Sequence, residues 1–399
     1  MVSKIQIRNF RSIREQSVTI APLSVIYGPN GAGKSSLLHA AIVLRNIVMN
    51  PTQPVDSFFS IPGLATFGGF QQVVHKHRAD AQIELELELG DLLGGLSYGV
   101  RLGKVQGGFL LKSTTPPISM QVSTAFPYAA NAQETINVET PSGGFNITWN
   151  GILAQVRPQA PQPELTEEAN SLAAGLNQPI EQLRRMDLVH VKRGFFKPHY
   201  GAVSLATFHG EDEVATLLAS DVYLTGKVSA YLETILGRDF RTHTAPGTAV
   251  TSLVTTEKPS GLVTELVNDG FGVNQIVYLL SKCLRTDVET VFIEEPEINL
   301  HPKALRELAR ALIRITQDEG KTLVISTHSE SLVLSLLTAV ATKQLNVSNL
   351  ALYLCEKRKG ETQFDRQEVK GNGQVEGGLA NFIEGELEDI QEFLKVRKL

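Results

Sequence analysis

Between the apolar run Leu23 to Tyr27 and the helix-like run Ser36 to Val48 lies Gly28-Pro29-Asn30-Gly31-Ala32-Gly33-Lys34-Ser35. That spacing, G-x-x-x-x-G-K-S between a strand and a helix, suits the holding of a polyphosphate. Glycines let the backbone bend so that the N–H groups of Asn30, Gly31, Ala32, Gly33 and the residues up to Ser36 turn inward. The start of the following helix adds a partial positive charge. Lys34 is placed to reach the β- and γ-phosphates, and the Ser35 hydroxyl to ligate Mg²⁺. A second group lies far downstream, where the apolar run Val291-Phe292-Ile293 ends in Glu294-Glu295-Pro296. Glu294 is expected to hold Mg²⁺ through water, and Glu295 to orient and deprotonate an attacking water. After the apolar run Thr322 to Ser326 comes Thr327-His328-Ser329, where a histidine at a strand end can hydrogen-bond a γ-phosphate. Gln71 and Gln72 are two candidates for one further role, contact with Mg²⁺ and the attacking water.

These residues need strands to carry them. Alternation over Lys4 to Ile7, Ser17 to Ile20 and Gln82 to Leu89 predicts half-buried strands, with Phe10-Arg11-Ser12 at a bend and Phe10 in the core rather than an adenine platform, the alternative reading. Further short strands are expected over Ser97 to Leu111, Ile136 to Trp149 and Leu188 to Phe196. Ser113 to Gln133 holds no charged residue and reads as a covered loop or a partner surface. Pro158 to Pro163 reads as a linker, and Leu165 to Arg185 as a helix shortened by Gly175 and Pro179. Val214 to Leu236 is helix-like. On the helix after Pro302, Lys303, Arg306, Arg310 and Arg314 form a basic stripe opposite Leu305, Leu308, Leu312 and Ile315. Such a stripe is either a solvated face or a contact for DNA or an acidic partner.

With 399 residues, 42% of them hydrophobic and 20% charged, the chain has the composition of a soluble globular protein with a sizeable core. No apolar run is long enough to span a bilayer, and the polar, basic start lacks a secretion signal. Cys283 and Cys355 fit neither a metal nor a disulfide framework, which favours the cytoplasm. A net charge of −5 means that any nucleic-acid contact must come from a local patch. The expected organisation is an N-terminal lobe over 1–80, a β-rich and helical insertion over 81–262, and a C-terminal lobe over 263–399.

Five stretches together resemble a family: Ile7 to Ser12, Gly28 to Ser35, Gly270-Phe271-Gly272-Val273-Asn274-Gln275, Ile293 to Pro302 and Ser326 to Ser329. They look like the ABC-type ATPases of the SMC, RecF and OLD-like group, and the string IEEPEINLHP resembles the OLD-like branch most closely. The resemblance implies an α/β P-loop ATPase head. Its mixed, largely parallel central sheet is accompanied by an N-terminal antiparallel region and a β-rich, helical insertion. It also implies ATP and Mg²⁺ as ligands, and a homodimer, open to higher assembly, in which two heads sandwich ATP. Gly272, Asn274 and Gln275 of one chain would then meet the γ-phosphate held by the other. Asn299 to His301 would be the D-loop and His328 the switch histidine. Asn274 stands where the family usually has a serine.

Many OLD proteins carry a C-terminal Toprim nuclease, but the residues after His328 hold no Asp-x-Asp pair, and no heptad run predicts a long coiled-coil arm. The expected function is an ATP-hydrolysing switch in DNA repair or in defence against phage and mobile elements. It would act through DNA or a separately encoded effector such as a nuclease. The competing classes are a transporter's nucleotide-binding subunit, disfavoured by the long interval between phosphate loop and signature, and a scaffold that binds ATP without turnover.

Overall fold

The computed structural model describes residues 2–61, 65–90, 92–129, 131–160, 162–205 and 210–378. They form two compact units built from interleaved stretches of chain. The first comprises the chain up to Ile20 with Ser36–Asp187 and Asp287–Thr290, and the second Ala21–Ser35, Leu188–Thr286 and the chain from Val291 on. Each of the three consecutive segments expected from the sequence contributes to both.

The first unit is built on a six-stranded antiparallel sheet in the order Ile13–Thr19, Val2–Phe10, Ile83–Leu89, Leu96–Leu102, Gln106–Thr114, Pro117–Ala125. Ile83, Leu85, Leu87 and Leu89 are buried. On the opposite face Glu84 and Glu88 pair across strands with Arg8 (3.0 Å) and Lys4 (2.6 Å). Phe10 is fully buried beside the bend.

The uncharged stretch from Ser113 departs from expectation, since it contains the edge strand Pro117–Ala125. Ile118, Met120 and Val122 point inward, and Ser119, Gln121 and Ser123 outward. Neutral polar residues on the wet face hid an ordinary alternation. Ala130 of that stretch, and Pro161 of the Pro158 to Pro163 linker, lie outside the described residues.

A second sheet, Glu134–Thr140, Gly143–Trp149 and Ala154–Pro158, carries the helix Pro163–Arg184, whose Leu165 and Ala169 pack on Phe145. This helix runs its full 22 residues through Pro179 instead of stopping there. A proline ring presses on the carbonyl four residues back. Here that residue is Gly175, whose backbone yields most readily, while Leu172, Leu176, Ile180 and Leu183 keep the buried stripe continuous.

The central sheet, all but a few terminal residues of which belong to the second unit, has the order Met186–Val189, Thr290–Glu294, Thr322–Thr327, Leu23–Tyr27, Leu350–Arg358, Glu361–Gln367. Leu23–Tyr27 runs parallel to both its neighbours, and Glu361–Gln367 closes the edge antiparallel. Every residue of Leu23–Tyr27, Thr290–Glu294 and Thr322–Thr327 is buried, as expected for strands covered on both faces.

Two expectations change in this unit. The strand expected over Leu188 to Phe196 ends at Val189 and gives way to a loop. Val214 to Leu236 is two helices, Glu211–Ser220 and Val222–Leu236, because Asp221 is extended and its carboxylate caps the N–H of Leu224 at 2.9 Å. The helix Pro302–Asp318 exposes Lys303, Arg306, Arg310 and Arg314 and buries Leu305, Leu308, Leu312 and Ile315. Both cysteines are buried free thiols, and burial pushes that of Cys355 up to about 12.

Candidate nucleotide site

The glycine-rich loop leaves the strand Leu23–Tyr27 with Gly28, Gly31 and Gly33 at φ of +144°, +75° and +108°, where L side chains are strained. Gly28 is glycine for space as well, since a side chain there would run into the carbonyl oxygen of Cys355. Lys34 begins the helix Lys34–Met49 and is 6% exposed. Its Nζ donates to the carbonyls of Gly28 (2.9 Å) and Pro29 (3.0 Å), drawing the loop around its own cation. Burial lowers its pKa, and the charges of Glu295 and Glu297 oppose that shift. From the sheet edge, Thr362 donates to the carbonyl of Ala32 at 2.7 Å. Asn30 and Gly31 are exposed and Ser35 is half-buried.

The acidic turn follows the strand Thr290–Glu294. Because Thr322–Thr327 separates that strand from Leu23–Tyr27, the three strands lie side by side in one sheet. Glu294 is 3% exposed, its Oε2 accepting from the N–H of Val191 (3.1 Å) and lying 3.4 Å from His190 Nε2. Glu295 sits at φ +42°, and its N–H donates to the carbonyl of Ser326 at 2.8 Å. Its Oε1 stands 3.5 Å from His328 Nδ1.

Glu297, which the sequence reading did not single out, completes the cluster. Its Oε1 accepts from the Thr327 hydroxyl (2.6 Å) and the His328 N–H (3.0 Å), and lies 3.4 Å from His328 Nδ1. A third acid in Glu294-Glu295-Pro296-Glu297 was the available signal. Lys34, Glu295, Glu297 and His328 therefore share one neighbourhood. The hydroxyl of Ser35 and the carboxylates of Glu294 and Glu295 are hard oxygen donors, and the loop offers amide N–H groups. That donor set suits a magnesium-bound triphosphate.

Asn274 requires a correction. The family resemblance implies that its amide meets a γ-phosphate across a dimer, but the side chain is 5% exposed and engaged in its own chain. Oδ1 accepts from the N–H of Phe195 (2.7 Å), and Nδ2 donates to the carbonyls of Phe195 (2.8 Å) and Leu266 (3.2 Å). With both donors and the acceptor paired, the amide has nothing to offer a partner without breaking buried bonds.

What the helix Phe271–Cys283 does present is its N-terminus, with Phe271 69% exposed and the first N–H groups lacking helical partners. Gly272 packs against the backbone of Asn299, and Gln275 accepts from the Asn299 amide at 3.3 Å. His301 caps the helix Pro302–Asp318, its Nδ1 accepting from the N–H of Lys303.

Arg193 was also missed. It is 2% exposed and donates to the carbonyls of Glu294 (2.7 Å) and Glu295 (2.8 Å). Ser36, Gln71 and Gln72 belong to the first unit. Ser36 is buried in the first turn of its helix, and both glutamines are exposed. Gln71 bonds His77 through side chain and backbone, and Gln72 lies against Gly68. Along the basic stripe, Arg310 pairs with Glu307 (2.7 Å), and Arg314 pairs with Asp318 (3.5 Å) and lies over the Tyr231 ring.

Two domain models match the sequence. One, described as "AAA ATPase domain", covers residues 1–78; the other, "AAA domain, putative AbiEii toxin, Type IV TA system", covers residues 152–335. The chain is similar to the OLD nuclease of Thermus scotoductus, 36% identical over 62 residues that cover 16% of this chain and 11% of that protein. It is also similar to the Old nuclease of Escherichia phage P2, 21% identical over 376 residues, or 83% of this chain and 57% of that protein. The chain thus spans little more than half of the phage protein's length and a small part of the Thermus one. Among solved structures, an SMC head bound to the C-terminal winged-helix domain of ScpA has a TM-score of 0.51 at 10% identity, over 92% of this chain and 97% of that one, a likeness of fold. No helix among the described residues is long and apolar enough to cross a membrane. Phosphate loop, the helix Phe271–Cys283, acidic strand and histidine turn follow one another along the chain, and the two ATPase-domain matches, the likeness to the Old nuclease and the likeness of fold to an SMC head together support an ATPase of the SMC- and OLD-like ABC type.

Proposed function

We propose that the chain binds ATP with Mg²⁺, dimerises around it and hydrolyses it, the dimer serving as a switch. The observation that carries this reading is the convergence of Lys34, Glu295, Glu297 and His328 in one neighbourhood, beside a loop whose backbone is shaped for phosphate. Lys34 would leave the carbonyls of Gly28 and Pro29 for the β- and γ-phosphates, and Ser35 and Glu294 would hold the metal. When bound, Mg²⁺ would neutralise the charge that builds on the phosphate oxygens. Glu295 would take the proton of the attacking water, and His328, oriented by Glu297, would hydrogen-bond the γ-phosphate. The exposed N-terminus of the helix Phe271–Cys283, with Gly272 and Gln275, would meet the partner's γ-phosphate, where its partial positive charge favours an anion.

The switch would act in the cytoplasm, in DNA repair or in defence against phage and mobile elements, through DNA or a separately encoded effector such as a nuclease. Support for that role comes from the likeness to two proteins named OLD nucleases. Phosphate release measured with and without Mg²⁺, in the parent and in Glu295→Gln, tests the chemistry. The variant should bind ATP, lose about 10²- to 10⁴-fold in turnover, and accumulate an ATP-dependent dimer in native mass spectrometry. A parent that binds ATP but releases no phosphate leaves the scaffold reading in its place.

A further inference from the structure

The loop after Val189 touches both the acidic turn and the signature helix of its own chain. We propose that Arg193 is a positioning residue that sets the direction of the Glu295 carboxylate, and that the signature helix controls this setting in cis through Asn274. The inference rests on the reading of Glu295 as general base.

Arg193 reaches two consecutive carbonyls with one planar fork, Nη1 to Glu294 (2.7 Å) and Nη2 to Glu295 (2.8 Å), with the His190 carbonyl at 3.4 Å. Glu295 holds a left-handed backbone, φ +42°, that a non-glycine residue does not keep unaided. Its N–H is fixed by Ser326 and its carbonyl by Arg193, so the bond from Cα to Cβ, from which the carboxylate is carried, has one direction. Burial lowers the Arg193 pKa to about 10, against the charges of Glu297, Glu294 and Glu295, so the guanidinium stays protonated at neutral pH. Lysine would keep the charge but offers one nitrogen where the planar fork presents two, so the two bonds could not both keep this geometry.

The other end of the loop is clamped. Asn274 pairs with the N–H and the carbonyl of Phe195 at once, and a side chain at Gly194 (φ +141°) would come within 2.8 Å of the Asn274 oxygen. Asn274 lies in the first turn of the helix Phe271–Cys283, whose exposed end is the surface proposed to meet a partner's nucleotide. A shift of that turn therefore passes through Phe195 and Arg193 to the acids of the same chain.

Arg193→Lys and Asn274→Ala test the linkage from its two ends. Each should lower turnover about tenfold or more with ATP affinity within twofold of the parent, and neither should slow single-turnover hydrolysis further when Glu295 is already Gln. Mixed with Lys34→Ala chains, with heterodimers verified by native mass spectrometry, neither should regain activity. The only intact phosphate loop then sits on the chain whose Glu295 is misdirected. Recovered activity in the mixture, a further loss in the Glu295→Gln background, or a tenfold loss of ATP affinity overturns the proposal. A parent without turnover overturns the reading of the base instead. Hydrogen exchange then still tests the clamp: the Glu295 amide should exchange faster in Arg193→Lys, and unchanged protection refutes it.

Discussion

The phosphate loop and the acidic turn lie in the same unit and both hold strained backbone, but they hold it by different means. In the loop the positive-φ positions are Gly28, Gly31 and Gly33, which lack the Cβ that makes such angles costly. In the acidic turn they are Glu295 at +42° and Asn299 at +61°. A residue whose carboxylate does chemistry cannot be glycine, so its backbone has to be held from outside. For Glu295 the holders are Ser326 and Arg193, drawn from separate stretches of chain. Strain in the loop is relieved by composition, and strain in the turn is balanced by long-range partners.

The severest test of the loop is Lys34→Ala. It removes the cation aimed at the phosphates and leaves the Gly28 and Pro29 carbonyls without their donor, so ATP affinity should fall about 100-fold or more; parental affinity in calorimetry would break the loop's assignment. For the turn, Glu295→Gly and Glu295→Ala should both abolish measurable turnover, yet differ in stability. Glycine relieves the left-handed strain and alanine keeps it, so the glycine variant should be the more stable by about 1 kcal/mol. Equal unfolding midpoints would mean that no strain is held there.

Glu297→Gln keeps an oxygen for the Thr327 hydroxyl and the His328 N–H but removes a charge facing the imidazole. Turnover should drop about tenfold with little change in ATP affinity, and a rate equal to the parent's would remove Glu297 from the orienting role. Smallest is Thr362→Val, which takes one neutral hydrogen bond from the Ala32 carbonyl. A net loss near 1 kcal/mol corresponds to about fivefold in ATP affinity if all of it falls on the loop. A larger loss would show that the loop, too, leans on remote partners.

That contrast also decides what could be read from the sequence. Gly28 to Ser35 is contiguous, and its strand, turn and helix follow from an apolar run, glycines and a helical stripe, so the loop and the strand Leu23–Tyr27 were legible to the residue. The paired acids and His328 were legible because each ends an apolar strand. Arg193 was not, since its partners are backbone carbonyls about 100 residues away, and no residue pattern marks a carbonyl. Arg193 fell inside the strand expected over Leu188 to Phe196, where nothing set it apart. Asn274 was misread for a related reason: a polar residue near a helix start looks available, while burial by Phe195 and Leu266 depends on a loop from elsewhere. Glu297 was visible as an acid, but its bonds to Thr327 and His328 were not.

The interleaving of the two units bears on how the chain is made. Among the described residues, Leu23–Tyr27 pairs with Thr322–Thr327 and Leu350–Arg358 and with no other strand. At a bacterial-like synthesis rate of about 5–20 residues per second, the roughly 300 residues between the first two strands take on the order of 15–60 s to emerge. Throughout that time the ribosome displays a five-residue, largely apolar strand with both edges open. A stalled or truncated message would then release a nascent chain whose unpaired apolar segment, the one that leads into the phosphate loop, favours pairing with other chains.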